Sequence, residues 1–394
     1  MSAVTHSDIL IIGGGTVGLA AAAALVATGF SVQLVERGNG GPALAEVAAA
    51  TEVDARVYAL SPASIQFLTR LGAWAAIGGL RAAPYKGMRV WQAEPARALH
   101  FSAASADASM GCIVEHSLLN AALWALPELG LRHTSASVES VQVEDGAVQA
   151  RLADGRSLSA KLLVMADGPA SVLPAQLGLE AQGRDYGHTA IVCHARCEQN
   201  HGGIARQRFF VDDGPLALLP LADGRVSVVW SCQQRHAEEL LALDDAAFAL
   251  RLTTASQQVL GGVLGVTPRR SFALQLKRLA STVAEGAVVI GDAAHVVHPL
   301  AGQGVNLGLA DAAALAAVLG EARAAGRGWW RQRTLKAYAR ARQPDTDEVL
   351  ALTDGLHRAF ANGGEAFGRL LGLGFQTLNQ IAPVKHWLAG RAQR

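Results

Sequence analysis

The stretch Asp8-Ile-Leu-Ile-Ile-Gly-Gly-Gly-Thr-Val-Gly18 decides the fold of this chain. Ile9 to Ile12 is typical of a buried parallel strand, and the alanine-rich segment from Thr16 to Thr28 is typical of a helix. Between them, residues 13–18 satisfy the pattern GxGxxG. Such glycines permit a tight turn and a close approach of backbone to pyrophosphate, which the helix N-terminus favours. With a second strand at Ser31 to Val35, the stretch predicts a βαβ unit that binds a dinucleotide.

An acidic residue at the end of the second strand strengthens this prediction. Glu36 lies 21 residues beyond Gly15, where a ribose-binding carboxylate is expected. A GxGxxG pattern alone is weak evidence, because glycine turns also serve packing. A turn that served only packing would leave Glu36 unexplained.

Two further apolar segments end in acidic residues. Leu162 to Gly168 ends in Asp167-Gly168, although an Asp-Gly turn alone would also account for this pair. Val288 to His295 contains Asp292, which can hold polyol hydroxyls, and a glycine-rich helix start follows at Gly302-Gln-Gly304. His295 is a candidate general base, but the more favoured interpretation is a local hydrogen-bonding partner.

Composition excludes several other functions. The 394 residues carry a net charge of +1, which gives no reason to expect a nucleic-acid partner. The first eight residues lack a signal-peptide pattern, and the apolar run Leu19 to Phe30 is too short to span a bilayer, so we expect a cytoplasmic protein. The cysteines form no CxxC pair, so we expect reduced core thiols and no metal site: Cys112, Cys193, Cys197 and Cys232.

The three motifs resemble, in order and spacing, those of the flavoprotein aromatic hydroxylases with the p-hydroxybenzoate hydroxylase fold. A closer resemblance, over nearly the whole chain, is to the ubiquinone-biosynthesis hydroxylases of the UbiH, UbiF and VisC branch. The segments that carry it are Asp54-Ala-Arg56-Val-Tyr-Ala-Leu60, Gly111 to Glu115, Gly214 to Pro220 with Val229-Trp230, Gly291 to Leu307, Tyr338 to Arg342 and Asp354-Gly-Leu356.

The resemblance implies an FAD site. It assigns the ADP half to the glycine turn and Glu36, the ribityl chain to Asp292, and the flavin neighbourhood to Arg56. Pro299, Gly302 and Gly304 would form the catalytic environment of the flavin ring, without a certain acid or base. The full set of implied cofactor-binding residues is Gly13, Gly15, Gly18, Glu36, Arg37, Arg56, Asp167, Asp292, Pro299, Gly302, Gly304, Val305, Asn306 and Leu307.

The implied fold class is α/β, with a Rossmann-like FAD-binding domain, an inserted mainly-β substrate domain and C-terminal helices. Strand patterns between Gly187 and Ser231, broken by Asp-Gly turns, are the main sign of the β domain. The predicted FAD-binding domain comprises residues 1–75, 100–180 and 272–345. The predicted substrate domain comprises residues 76–99 and 181–271, and residues 346–394 are predicted C-terminal helices.

The implied activity is hydroxylation of a ring carbon in a phenolic, polyprenylated ubiquinone precursor through a C4a-hydroperoxyflavin. O2 is then a cosubstrate, and NAD(P)H or another electron donor is a transient reductant. The family commonly shows DGxxSxxR, whereas Ser171 is followed here by Val-Leu-Pro174, so the arginine is missing. This departure puts the usual route of NAD(P)H access in doubt.

Alternatives from the sequence are a hydroxylase of another aromatic or polyketide substrate and an FAD-binding assembly subunit without turnover. No tryptophan lies in the WxWxIP motif of flavin-dependent halogenases, which argues against that class. The expected partners are a hydrophobic aromatic small molecule and a ubiquinone-biosynthesis complex. The apolar segment Phe367 to Leu388 is expected to pack on the body, with a peripheral contact at the inner face of the membrane as the alternative.

Overall fold

A computed structural model describes residues 5–103, 105, 108–126, 132–144, 146–210, 213–297 and 303–362 of the chain. The strands form three sheets of eight, nine and three strands within these residues. Their bounds are β1 Thr5–Ile12, β2 Val32–Glu36, β3 Val57–Leu60, β4 Ala83–Tyr85, β5 Gly87–Trp91, β6 Leu99–Ser102, β7 Gly111–Glu115, β8 Arg132–Ser135, β9 Val138–Glu144, β10 Ala147–Leu152, β11 Ser157–Met165, β12 Ala181–Cys197, β13 Ile204–Arg208, β14 Leu216–Pro220, β15 Val226–Gln233, β16 Val263–Val266, β17 Arg270–Leu279, β18 Val283–Ala284, β19 Ala287–Val289 and β20 His295–Val296.

The helices cover the first sheet and one part of the second. Short 3₁₀ turns occur at Pro95–Arg97 and Gly291–Ala293. The α-helices are α1 Thr16–Ala27, α2 Leu44–Ala49, α3 Pro62–Arg70, α4 Ala73–Gly78, α5 His116–Trp124, α6 Leu173–Gln176, α7 Gln234–Ala242, α8 Asp245–Ala255, α9 Gln303–Ala324 and α10 Gln332–Asn362.

The first sheet has the parallel core of a dinucleotide-binding fold. Its strands follow the order β18-β19-β11-β1-β2-β8, and β11, β2, β8 and β19 each run parallel to a neighbour. The hairpin β9-β10 extends β11 in antiparallel pairing. The βαβ unit predicted from the glycine motif is therefore confirmed, with both strands within about two residues of the predicted ends apart from the earlier start of β1.

Helices α1 and α9 pack together in the core of this unit. Leu19 and Leu25 of α1 and Leu309 and Leu315 of α9 are fully buried in one hydrophobic cluster. Residues 304–324 of α9 are long and apolar enough to cross a membrane by composition. Of the apolar 18-residue stretch within this helix, 56% is buried inside the protein, so we interpret α9 as a core helix.

The second sheet is mainly antiparallel and follows the order β20-β17-β12-β15-β14-β13-β5-β6, with β16 on β12. Trp230 of β15 is buried in its core under α7 and α8, next to Phe248. The strands predicted around the Asp-Gly turns are confirmed as β12 to β15. Strands β6 and β17 cross the predicted domain boundaries at residues 99 and 271, since both pair within this sheet.

Candidate active site

Four functional candidates lie at the same edge of the first sheet. The glycine turn follows β1, Glu36 is the last residue of β2, Asp167 follows β11, and Asp292 follows β19. These four strands are parallel neighbours, so their carboxyl ends lie at one edge of the sheet, the edge at which open α/β sheets bind ligands.

The glycine turn is shaped by close backbone contacts. Gly13 has φ +107° and donates its N–H to Val35 O at 2.9 Å, and a Cβ here would overlap Ala166 O. A Cβ on Gly18 would collide with Gly13 O. By contrast, a Cβ on Gly15 would meet no atom of the described residues within 4 Å. Gly13 and Gly18 are therefore required by the protein itself, whereas Gly15 leaves space above the helix N-terminus for a ligand.

Glu36 is held against this turn by backbone donors. One carboxylate oxygen accepts the N–H of Gly14 at 2.5 Å, and the other accepts the N–H of Arg37 at 2.9 Å. The Asn120 amide donates to Gly14 O at 3.3 Å from the opposite side. The carboxylate is thus fixed at the strand end and keeps further lone pairs for ribose hydroxyls.

Asp167 and Asp292 are partly buried carboxylates whose charge is not fully compensated by neighbouring groups. Burial raises the pKa of Asp167, against a hydrogen bond from Ser171 and the charges of Arg37 and Lys277. Its Oδ1 atom is buried and has no hydrogen-bond partner among the described residues. Burial likewise raises the pKa of Asp292, opposed by the charges of Arg56 and His295. A buried, unsatisfied carboxylate oxygen at this edge of the sheet fits a site for ligand hydroxyls.

Arg56 lies beside an aromatic pair. Its guanidinium is 5.3 Å from the ring centroid of Tyr58, whose hydroxyl is 2.9 Å from His116 Nδ1. Burial raises the pKa of Tyr58 to about 12, with the charge of Arg56 opposing and the charges of Asp292 and Asp54 adding to the rise. The charge of Arg56 therefore acts on Tyr58 and Asp292, while its position near a flavin stays a prediction.

The start of α9 is held by Asn306. Its amide donates to Ala59 O at 2.8 Å, and its oxygen accepts the N–H of Ser61 at 2.9 Å. Val305 and Leu307 are buried in hydrophobic clusters. Contacts of these three residues with a flavin ring stay predictions, since their described partners belong to the protein. Pro299 and Gly302 lie outside the described residues.

Neither the backbone angle of Gly304 nor its described neighbours exclude a side chain at this position. Gly304 has no positive φ, and an added Cβ would lie 3.9 Å from Asp292 Oδ1 and from Val297 Cγ2. Gly304 is already part of helix α9, so its backbone angles allow a side chain. Among the described residues, a side chain at position 304 would therefore lie next to Asp292.

Comparisons with known proteins match this geometry. The sequence profile of the FAD binding domain family matches residues 6–353. The chain belongs to this family of FAD-dependent monooxygenases. Within it, the chain falls in the group of ubiquinone-biosynthesis hydroxylases.

Two relatives and one solved structure illustrate the relationship. The chain is 31% identical over 383 residues to the 3-demethoxyubiquinol 3-hydroxylase of Escherichia coli, covering 96% of each chain. It is 35% identical over 390 residues to the ubiquinone hydroxylase UbiL of Rhodospirillum rubrum, covering 98% of this chain and 89% of UbiL. The fold is similar to that of PqsL from P. aeruginosa, with a TM-score of 0.76 and 24% identity over 93% of this chain and 100% of PqsL.

His295 of this FAD-dependent hydroxylase has a local hydrogen-bonding role, as the sequence analysis favoured. Its Nε2 lies 2.7 Å from Oδ2 of Asp311, and both residues are buried. Asp311 also accepts from Arg342 Nε at 2.8 Å. Sequence reasoning missed Asp311, although it is the sole charged residue between 303 and 320, which was a usable signal.

A second missed network lies beneath Arg56. Glu115 is 2% exposed and pairs with Arg81 at 2.6 Å, while its other oxygen accepts the N–H of Asp54 at 2.7 Å. Arg81 also donates to three carbonyls at the end of α2, those of Val47, Ala48 and Ala50. The network fixes the segment that carries Arg56.

At the position of the missing arginine in the DGxxSxxR pattern stands Pro174, which is buried. Pro174 lies in the first turn of α6, and Val172 before it is 70% exposed. Lys277 donates to Pro169 O at 2.7 Å at the same place. The departure from the pattern is thus a buried proline in place of a long cation, and the exposed side chain before it, Val172, is apolar.

Three potential metal ligands meet in the second sheet. Ligand atoms of Asp213, Cys232 and His236 lie within 4.8 Å of one another. The Asp213 carboxylate, however, accepts the N–H of Gln233 at 2.8 Å and lies 2.7 Å from His236 Nδ1. The Asp213 carboxylate is thus engaged by groups of the protein itself at the start of α7. The four cysteines are free, as expected.

Proposed function

We propose that this FAD-dependent hydroxylase adds one hydroxyl group to a ring carbon of a polyprenylated phenol in ubiquinone biosynthesis. The observation that carries the proposal is the edge of the first sheet with Glu36, Asp167 and Asp292, in a chain related over nearly its full length to quinone hydroxylases. The fold similarity to PqsL supports the architecture alone.

The described residues fit FAD. Gly15 and the N-terminus of α1 would receive the pyrophosphate, and Glu36 would bind the ribose of the ADP half. The unpartnered oxygen of Asp167 and the partly buried carboxylate of Asp292 would accept hydrogen bonds from cofactor hydroxyls. The helix start at Gly304 would lie against the flavin ring, where its N–H groups favour negative charge.

Bound FAD supplies the oxygen chemistry, in which one atom of O2 enters the ring and the other leaves as water. The protein then has to position the phenol, exclude water and favour its deprotonated form. Arg56 is suited to favour the deprotonated phenol, because it is an exposed cation that lies beside Tyr58 and Asp292. No described side chain has to act as an essential base, since His295 is paired with Asp311.

The electron donor docks transiently in this proposal. One glycine fingerprint is present, and FAD occupies it, so NAD(P)H or another reductant uses a surface without its own Rossmann unit. Association with a biosynthetic complex and with the inner face of the membrane is part of the proposal. The segment Phe367 to Leu388, which motivates a membrane contact, lies outside the described residues.

The test is gene deletion followed by isotope labelling. We expect the deletion strain to accumulate a prenylated phenol that lacks one ring hydroxyl. We also expect the purified, yellow protein to convert this compound under ¹⁸O₂ with one labelled oxygen in the ring. Accumulation of no quinone precursor would contradict the pathway. An FAD-loaded protein that consumes no oxygen with any reductant would instead support the assembly subunit without turnover.

A further inference from the structure

A buried cluster of charged side chains lies beside Gly291, between helices α9 and α10. We define the Asp311 cluster as His295, Asp311 and Arg342. Asp311 Oδ2 lies 2.7 Å from His295 Nε2, and Asp311 Oδ1 accepts from Arg342 Nε at 2.8 Å. The three side chains are 4%, 2% and 9% exposed. The pair with His295 and Arg342 lowers the pKa of Asp311 despite its burial.

The cluster fixes both ends of one chain segment. Asp311 Oδ2 also accepts the N–H of Gly291 at 3.1 Å, directly before Asp292. Arg342 Nη2 donates to Leu307 O at 3.5 Å, just after Gly304. A single carboxylate and its arginine therefore position both the residue before Asp292 and the first turns of α9.

Burying charged side chains costs free energy of folding. A buried charge cluster is therefore expected to serve the geometry that it imposes. Three charged or polar side chains in a core can often be replaced by apolar ones without loss of stability. The rest of α9 near this position is apolar, including fully buried Leu309 and Leu315. Core packing therefore does not require Asp311. The orientation of Gly291 and Leu307, by contrast, does require it.

We propose that Asp311 and Arg342 are positioning residues for the flavin ring. By holding Gly291 and Leu307, they keep Asp292 and the start of α9 aligned with the bound cofactor. The reduced flavin, which carries negative charge, is the form most dependent on that alignment. Because Arg342 belongs to α10, docking of α10 is coupled to the properties of the flavin. The inference rests on FAD binding and is independent of which aromatic substrate is used.

A cavity beside the cluster makes the inference testable by chemical rescue. A cavity of about 130 Å³ is lined by His295, Asp311 and Arg342, together with Ser281 and Tyr338. Removing the Arg342 side chain would join its vacated volume to this cavity. Methylguanidinium added from solution could then reach the carboxylate of Asp311 and replace the missing donor group.

The experiment compares Arg342→Ala with two controls on the same helix. Arg340→Ala removes an exposed arginine whose Nε donates to Lys336 O at 3.3 Å. Leu335→Ala removes a fully buried core side chain and lowers the melting temperature without touching the cluster. For each variant, FAD affinity and the flavin reduction potential are measured with and without millimolar methylguanidinium.

We expect Arg342→Ala to lose about tenfold more affinity for reduced than for oxidised flavin, which lowers the potential by about 30 mV. Methylguanidinium should restore most of this loss in Arg342→Ala and change neither control. Leu335→Ala should retain the wild-type potential in its folded fraction. The proposal is overturned by an unchanged potential in Arg342→Ala, by an equal shift in Leu335→Ala, or by absence of rescue.

A second variant covers the case in which Arg342→Ala does not fold. Arg342→Lys keeps the charge but loses the fork that reaches Asp311 and Leu307 together. We expect an intermediate fall in potential with nearly normal thermal stability. A wild-type potential in Arg342→Lys would overturn the proposal, and neither result depends on the aromatic substrate.

Discussion

The two ends of the candidate FAD site are built in different ways. The ADP end is a local backbone structure, in which Gly13 and Gly18 pack against each other and Glu36 accepts N–H groups from its own neighbourhood. The ring end is assembled from distant segments by the buried charges of Asp311 and Arg342. The proposed ADP end is therefore set by sterics within one βαβ unit, whereas the proposed ring end depends on the packing of α9 and α10.

The largest effect is expected from glycine substitutions that separate folding from ligand binding. Gly18→Ala places a methyl group on Gly13 O, so the unfolding free energy should fall by about 3 kcal/mol, the upper end of overpacking costs. Gly15→Ala meets no atom of the described residues and should leave stability unchanged while weakening FAD binding. Denaturant unfolding of both apoproteins, with FAD titration, is the measurement. Equal stability losses in the two variants would remove the distinction between them.

Loss of the ribose-binding carboxylate should be the next largest effect. Glu36→Ala removes the acceptor for Gly14 and Arg37 N–H groups, and FAD affinity should fall by roughly 1–3 kcal/mol. Fluorescence titration with FAD measures the change. Glu46→Ala, an exposed glutamate on α2, is the matched control and should bind FAD normally. Unaltered affinity in Glu36→Ala would refute the assignment of this strand end.

A smaller effect is expected at Asp167, where a substitution should raise the unfolding free energy of the apoprotein instead of lowering it. Its raised pKa means that the folded apoprotein disfavours the ionised form, so Asp167→Asn should stabilise the apoprotein by roughly 0.5–2 kcal/mol at neutral pH. FAD affinity should fall in the same variant. As the pH falls through the raised pKa of Asp167 towards 3.8, wild type binds the proton and the advantage of the variant should disappear.

Unfolding curves of the two apoproteins between neutral and acidic pH test this expectation. Asp154→Asn is a suitable control, because Asp154 is on the surface and its pKa is lowered by hydrogen bonds from Arg156. That variant should show no gain in stability at neutral pH. A loss of stability in Asp167→Asn would mean that the charge of Asp167 serves folding rather than the ligand.

The same contrast explains what could be predicted from the sequence. The glycine turn, Glu36 and the two strand-end aspartates follow from local patterns, because strand, turn and helix signals are contiguous there. Asp311, Arg342 and the Arg81–Glu115 pair join residues about 30 positions apart, which no periodicity reveals. Strands β6 and β17 cross the predicted domain boundaries at residues 99 and 271 for a related reason. Strand pairing, and not composition, decides to which sheet these two strands belong.

The most direct test of the two-ended site is a spectroscopic redox titration of bound flavin. Gly304→Val adds a side chain beside Asp292, and Gly15→Ala perturbs the ADP end; both are compared with wild type in the FAD-loaded, folded form. The loss of a good anion contact at Gly304 should lower the potential by tens of millivolts, at about 1.4 kcal/mol per 30 mV. Gly15→Ala should weaken FAD binding and leave the potential unchanged. An unchanged potential in Gly304→Val, or an equal shift in both variants, would contradict the claim that the start of α9 stabilises the reduced flavin ring.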